Sequence, residues 1–319
     1  MTSSELTDEI PGLVAANYGE YAQNISKVRE KFLDYPRCVS IETQVKCNAK
    51  CGFCPYPVSP RKGEEMDEET FEKIISDLEA IPQTHKFVLT LSRINEPLLD
   101  RRLERFHQLI KEKLPNAWPQ FWSNGTMLRP GKFEWMAGFP GSSLSISLNS
   151  VDDAEHQQMM GFGLKSVLPN LDYVHSLKAD KKFPITVKLR APFENREQAH
   201  QFYTYCQERW PLFEAGIRPY FVWTGDIDVG QTERDRAQSG LPAQMSASSF
   251  SCGQWYDLHI LANGYATKCC IDEAGFTDND RFNCQTNHVL DVYAQTRVLR
   301  EELPPRKQVA GCEDCLHLG

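Results

Sequence analysis

The sequence predicts an α/β protein built on a largely parallel sheet. Strand-like and helix-like runs alternate from Cys38 onward, and the chemistry-bearing residues fall where the strand-like runs end. At 319 residues the chain is long enough for one large α/β domain with a smaller one appended.

The elements follow in order. Residues 1–36 read as an N-terminal helical extension, because Tyr18, Tyr21, Ile25, Val28 and Phe32 recur at helical spacing. Val39–Val45 is the first strand. Asp67 is placed to cap a helix whose apolar stripe is Phe71, Ile74, Ile75 and Leu78. Further strands are expected at Phe87–Leu91, Gln120–Ser123, Leu144–Leu148, Ile185–Leu189 and Ile217–Val222, with helical patterns such as Leu103, Phe106, Leu109 and Ile110 between them. The result is a series of βα units, which periodicity alone allows to be an open doubly wound sheet or a partial barrel. Either way the ligand site gathers at the carboxyl ends of the strands. A cysteine cluster follows the first strand, Glu96 the second, Ser123-Asn124-Gly125 the third and Ser147-Leu148-Asn149 the fourth. Arg234–Ser249 is polar and weakly patterned, as a linker is. It separates a body, residues 37–235, from a cysteine-rich C-terminal segment, residues 236–319.

Composition narrows the function. A net charge of −8 with interspersed signs argues against nucleic acid as a partner. No run of eighteen apolar residues and no basic-then-apolar N-terminus is present, so a soluble cytoplasmic protein without a membrane partner is expected. Eleven cysteines in such a chain point to metal or redox chemistry rather than disulfides.

Cys47-Asn-Ala-Lys-Cys51-Gly-Phe-Cys54 puts three thiols in one loop. Three thiolates on a four-iron cube leave one iron open to a ligand. Zinc is the competing occupant, although it prefers four ligands and paired C-x2-C knuckles. The pattern C-x3-C-x-aromatic-C after a first strand resembles the signature of the radical S-adenosylmethionine (SAM) superfamily. Asn95-Glu96-Pro97 is similar to that family's Gly-Gly-Glu segment, with Ile94 and Asn95 in place of the glycines. Ser123-Asn124-Gly125-Thr126 and Ser147-Leu148-Asn149 are similar to its third- and fourth-strand segments. The resemblance covers roughly residues 37–235 and implies a partial (β/α)6 barrel. It also implies a 4Fe-4S cluster on Cys47, Cys51 and Cys54, and SAM contacts by Phe53 (adenine), Glu96 (amino group), Ser123, Asn124, Ser147 and Asn149. Arg190, ending the fifth strand, has the planar fork suited to a carboxylate such as that of SAM.

A second constellation lies near the C-terminus: Cys252, Gly264, Cys269, Cys312 and Cys315. Four thiolates can close a cluster completely, and a structural zinc knuckle is the alternative. The text from Cys252-Gly-Gln-Trp255 to Lys268-Cys269-Cys270 resembles the Twitch and SPASM extensions of the same superfamily, in which a β-hairpin carries the first ligands. Asn263-Gly264 is a strong hairpin turn. The resemblance implies a small hairpin-plus-helix domain with a second 4Fe-4S cluster on Cys252, Cys269, Cys312 and Cys315, with Cys270 as the alternative second ligand.

Cys284 lies in the loop between these ligands, where a thiol facing the substrate could return a hydrogen atom, as an epimerase requires. A dehydrogenase needs an electron acceptor instead, for which the second cluster is the candidate. The resemblance implies a polar small-molecule substrate (a sugar, aminocyclitol or aminoglycoside-like compound) and an electron supply of the flavodoxin or ferredoxin type. A peptide-modifying maturase is the alternative, and a non-catalytic metal scaffold the second.

Overall fold

The computed structural model describes residues 29–193, 196–219, 251–270, 272–310 and 312. The extension up to residue 28, the 234–249 linker and Cys315 lie outside the described residues.

Eight strands form one sheet, β1 (Cys38–Ile41), β2 (Phe87–Thr90), β3 (Ala117–Ser123), β4 (Ser143–Ser147), β5 (Thr186–Phe193), β6 (Glu214–Pro219), β7 (Asp257–Ile260) and β8 (Ala266–Thr267). Their order across the sheet is β6-β5-β4-β3-β2-β1-β7-β8. Neighbours run parallel except β7 and β8, which form an antiparallel hairpin. The sheet ends at β6 and β8 and does not close on itself. Helices α1 (Glu68–Leu78), α2 (Leu103–Lys113), α3 (Asp153–Met160), α4 (Leu168–Ala179) and α5 (Arg196–Arg209) supply the crossovers, and α6 (Val289–Ala294) and α7 (Arg297–Glu302) follow the hairpin. This is the α/β fold expected, in its open partial-barrel form.

The strands obey a period of two. Val39, Ile41, Leu89, Leu144, Ile146, Val187, Leu189, Leu258 and Ile260 lie in two buried apolar clusters beneath the helices. The residues between them (Ser40, Thr90, Ser145, Lys188 and His259) belong to the opposite, polar face. Helix α1 shows why the helical face is fixed. The Asp67 carboxylate accepts the Thr70 N–H at 2.7 Å, while Phe71, Ile74, Ile75 and Leu78 are fully buried. Phe71 stacks on Phe106 of α2 with ring centroids 3.9 Å apart, locking two adjacent crossovers together.

Several boundaries differ from the sequence reading. β6 starts at Glu214 rather than Ile217, and β5 runs on to Phe193, because the ladder pairs Lys188 with Glu214 and Phe193 with Pro219. β1 stops at Ile41 because Glu42 turns into an ion-pair network. Of the N-terminal extension, only a 3-10 turn at Glu30–Phe32 is described, and its Phe32 packs on Tyr256. The Asn263-Gly264 hairpin turn is present, with Gly264 at φ 82°. Among the described residues no helix is long and apolar enough to cross a membrane.

The hairpin does more than close a small domain. β7 pairs in parallel with β1, Cys38 opposite Asp257 and Ile41 opposite Ile260, so the C-terminal segment continues the main sheet beside the first cysteine loop.

Candidate active site

The loop bearing Cys47, Cys51 and Cys54 leaves the carboxyl end of β1 and is pinned against the end of α3. Lys50 N–H donates to the Met160 carbonyl at 2.9 Å and Gly52 N–H to that of Met159 at 3.3 Å. Gly161, at φ 81°, makes this approach possible, since a Cβ there would sit 3.0 Å from the Lys50 Cβ. Cys54 N–H donates to the Cys51 carbonyl at 3.1 Å, closing a turn that brings the thiols to one side. The three thiols lie within Coulombic range of one another. Burial pushes Cys47 up to about 11 and Cys51 to about 12, with Cys54 raised further. The free thiols therefore stay protonated, and a metal must displace those protons on binding.

Asn124 is the hub of the site. Its amide N–H faces the Cys47 sulfur at 3.9 Å and donates to Asn48 Oδ1 at 2.8 Å, and its Oδ1 accepts from the Thr126 hydroxyl at 2.6 Å. Asn48 donates to the same hydroxyl at 2.8 Å, which closes a ring of polar side chains around the base of the loop. Glu96, 1 % exposed, follows β2 and joins this hub. Its Oε2 accepts the Asn124 N–H at 2.6 Å, and its Oε1 accepts from the Ser123 hydroxyl at 3.0 Å and the Leu98 N–H at 3.2 Å. Burial outweighs these donors and raises the carboxyl to about 7. The Glu96 N–H in turn donates to the Lys46 carbonyl at 2.9 Å, so carboxylate and cysteine loop are set as a unit.

Asn149 follows β4 at φ 63°, a left-handed conformation that Asn tolerates. Its N–H donates to the Arg190 carbonyl at 2.9 Å and its amide to Met160 Sδ at 2.7 Å, while the Cys51 sulfur lies 3.4 Å from that same atom. Ser147 pairs with Arg190 across β4 and β5. Arg190 extends over Gly216, where an added Cβ would fall 2.0 Å from its Nη1. Phe53 is half-buried between Cys51 and Cys54. The structure thus brings Cys47, Cys51, Cys54, Glu96, Ser123 and Asn124 together, joins Asn149 to Cys51 through Met160, and sets Ser147 and Arg190 on the next two strands. Sequence reading gave no part to Met160, which touches both Cys51 and Asn149. A methionine ending a helix carries no sequence signal of that kind.

The donor set fits an iron–sulfur cluster. Three half-buried thiols share one loop with polar N–H groups aimed at one of them, the environment such clusters use. Among the described residues, no three His, Cys, Asp or Glu side chains converge on a single ion.

Of the second set, Cys252, Cys269 and Cys270 flank the hairpin. Cys252 is buried just before β7, and Cys269 and Cys270 follow β8. Cys270 lies within Coulombic range of both Cys252 and Cys38. Lys268 donates to the Ala310 carbonyl at 2.6 Å, which brings the strand end to within two residues of buried Cys312. Cys284 stands elsewhere. It is fully buried in the apolar cluster that also holds Phe71, Ile74 and Val289, with Lys73 and Asp77 of α1 as its charged neighbours. Its N–H donates to the Gly264 carbonyl of the hairpin turn at 2.8 Å.

Residues 41–202 match the sequence profile of the Radical SAM superfamily. Over 91 residues the chain is 30 % identical to the S-adenosyl-L-methionine-dependent 2-deoxy-scyllo-inosamine dehydrogenase of Niallia circulans, a match spanning 28 % of this chain and 36 % of that relative. Among solved structures, BtrN in complex with AdoMet and 2-DOIA superposes with a TM-score of 0.58 at 15 % identity, covering 88 % of this chain and 93 % of that one. Streptococcus suis SuiB bound to its precursor peptide SuiA gives 0.57 at 13 % identity, covering 86 % and 69 %. These structural likenesses establish the fold.

Proposed function

The chain belongs to the radical SAM superfamily, and from that premise we propose that it oxidises a carbinol carbon of a sugar, aminocyclitol or aminoglycoside-like substrate to a ketone. Membership implies one 4Fe-4S cluster and SAM, and Cys47, Cys51 and Cys54 are the residues that would hold the cluster. When bound, the cluster and SAM supply a 5'-deoxyadenosyl radical that takes a hydrogen atom from an unactivated C–H bond.

The chain's own residues position the reactants. Glu96, with Oε2 engaged among the described residues only by the Asn124 N–H, has a lone pair left for the SAM ammonium. Arg190 is the carboxylate partner, Phe53 the surface for adenine, and Ser147 and Asn149 the contacts of the fourth strand. Asn124 and Asn48 keep the cysteine loop in one geometry, since their hydrogen bonds leave it little freedom. A single electron must enter from outside, and a flavodoxin or ferredoxin-type donor suits it.

The observation that carries the choice of oxidation is the second sulfur site beside β1. After losing a hydrogen atom, the substrate must lose one more electron and its hydroxyl proton to become a ketone. Cys252, Cys269 or Cys270, Cys312 and Cys315 would hold the 4Fe-4S cluster that accepts that electron, as a hairpin-borne auxiliary domain. Epimerisation needs a thiol at the substrate, and Cys284 lies fully buried in an apolar cluster. The local identity to an aminocyclitol dehydrogenase supports the substrate class.

The test is anaerobic incubation of the reconstituted enzyme with SAM, a reductant and a panel of aminocyclitols and short peptides. Deoxyadenosine should form together with an equal amount of ketone from an aminocyclitol. Turnover with peptides alone would transfer the reading to peptide maturation, and no SAM turnover with any reductant would leave a scaffold.

A further inference from the structure

Four buried charges tie the two cysteine sets together. Arg61, in the loop after Cys54, donates to Glu42 at 2.7 Å and to Glu273 at 2.6 Å. Arg93, between β2 and Glu96, donates to Glu273 at 2.8 Å and stands 4.0 Å from Glu42. The side chains of Glu42 and Arg93 are 0 % and 1 % exposed. Arg61 also pairs with the partly exposed Glu64 at 3.4 Å, and the four buried side chains are too enclosed to receive a substrate.

Glu273 lies three residues past Cys270, and its carboxylate is in Coulombic range of Cys54. The Arg93 fork also donates to the Asp272 carbonyl, which Thr267 contacts as well, at 3.0 Å. Arg93 therefore grips the backbone immediately behind Cys270, whose thiol is in Coulombic range of its charge. Among the described residues its buried Nε–H has no oxygen partner. A fixed cation with a donor to spare, beside sulfur ligands, is an arrangement that raises the potential of an iron–sulfur cluster. Reduction adds negative charge to the cluster, and the cation favours it.

We propose that Arg93 is a positioning residue that sets the potential of the C-terminal sulfur site, making it the better electron acceptor, with Glu273 as the opposing charge that links this site to the first cysteine loop. This rests on the two-cluster reading above.

The experiment is an EPR-monitored redox titration of the anaerobically reconstituted full-length protein, with the C-terminal signal identified as the one lost in Cys252→Ala. In Arg93→Met, the reduced-to-oxidised ratio of the C-terminal cluster at a fixed potential should fall about tenfold, a downward shift of about 59 mV for one electron. The first cluster should move less. Arg93→Lys, which keeps the charge without the fork, should recover most of the shift. Glu273→Gln removes an anion without changing shape and should move the C-terminal potential upward. General loosening cannot produce shifts of opposite sign. Unmoved potentials in variants with full iron content, or shifts of the same sign, overturn the inference while leaving the two-cluster reading intact. Wild-type protein with about four irons rather than about eight overturns both.

Discussion

The first cysteine set is held by contacts made within its own loop and to the strand ends and helix next to it, whereas the second depends on a hairpin finding the far side of β1. Cys47, Cys51 and Cys54 span eight residues, and Glu96 and Asn124 fix them from the ends of β2 and β3, with Asn48 of the loop accepting from Asn124. Cys252 and Cys269 or Cys270 flank a hairpin whose β7 pairs with β1, and Cys312 is drawn near through Lys268 on Ala310. The first arrangement is a pre-set platform for binding. The second is conditional on the fold, and the Glu42–Arg61–Glu273–Arg93 quartet makes it conditional on the first loop as well.

The largest test of this difference is to remove each set in turn. Replacing Cys47, Cys51 and Cys54 with Ala should reduce deoxyadenosine formation to background, because no open iron is left to chelate SAM. Replacing Cys252 and Cys312 with Ala should spare SAM cleavage and abolish ketone formation. Deoxyadenosine assayed by chromatography beside product by mass spectrometry separates the two. Equal loss of both in the second variant would mean that the C-terminal set supports the first site structurally.

Glu96 comes next, because its environment ties the platform to pH. Burial lifts its carboxyl to about 7, so between the ordinary carboxylate range and pH 7 the folded chain binds a proton that the unfolded chain has lost. Stability of the ligand-free protein should therefore fall as pH rises through that window, by roughly 3 kcal/mol at most. SAM affinity should do the reverse. The ammonium needs the carboxylate, so binding tightens as pH rises through about 7 and then levels off. Glu96→Gln should weaken binding about tenfold or more and flatten the profile, read by equilibrium dialysis between about pH 6 and pH 8. A profile that persists in the Gln variant would assign the titration to another group.

A smaller effect is expected from Gly216→Ala. The new methyl would collide with the Arg190 guanidinium, but that group ends a flexible side chain and can move aside. Fold stability should change by under about 1 kcal/mol, while KM for SAM rises several-fold at nearly constant kcat. A fall in kcat alone would place Arg190 elsewhere than at the SAM carboxylate.

What was legible in the sequence follows the same division. Parallel βα units put ligand-binding residues at strand ends, and the family resemblance picks out Cys47, Glu96, Ser123, Asn124 and Asn149 at those ends, which the structure brings near one another. The Asp67 cap and the Phe71–Leu78 stripe were legible because they are local. Pairing partners are not local. Nothing in Asp257–Ile260 says that it will lie parallel to Cys38–Ile41, and the register of β5 on β6, not the apolar run of either, sets where those strands begin and end. The Arg93–Glu273 pair joins residues 180 positions apart and leaves no periodic trace.

Cys284 gives the finest test of the division, because sequence position and structure place it differently. If it lay at the substrate, Cys284→Ala would stop hydrogen return and change the product. It lies fully buried in the apolar cluster that includes Phe71, Ile74 and Val289, and burial holds the thiol up at about 12, as for a small apolar side chain in the core. Truncation to Ala removes one sulfur atom from that core and should cost about 1 kcal/mol, seen as a Tm lower by a few degrees. Ketone yield at a temperature well below Tm should be unchanged, and product formed in deuterated solvent should carry no label at the oxidised carbon. A lost or altered product with an unchanged Tm would put a thiol back into the reaction and reopen epimerisation.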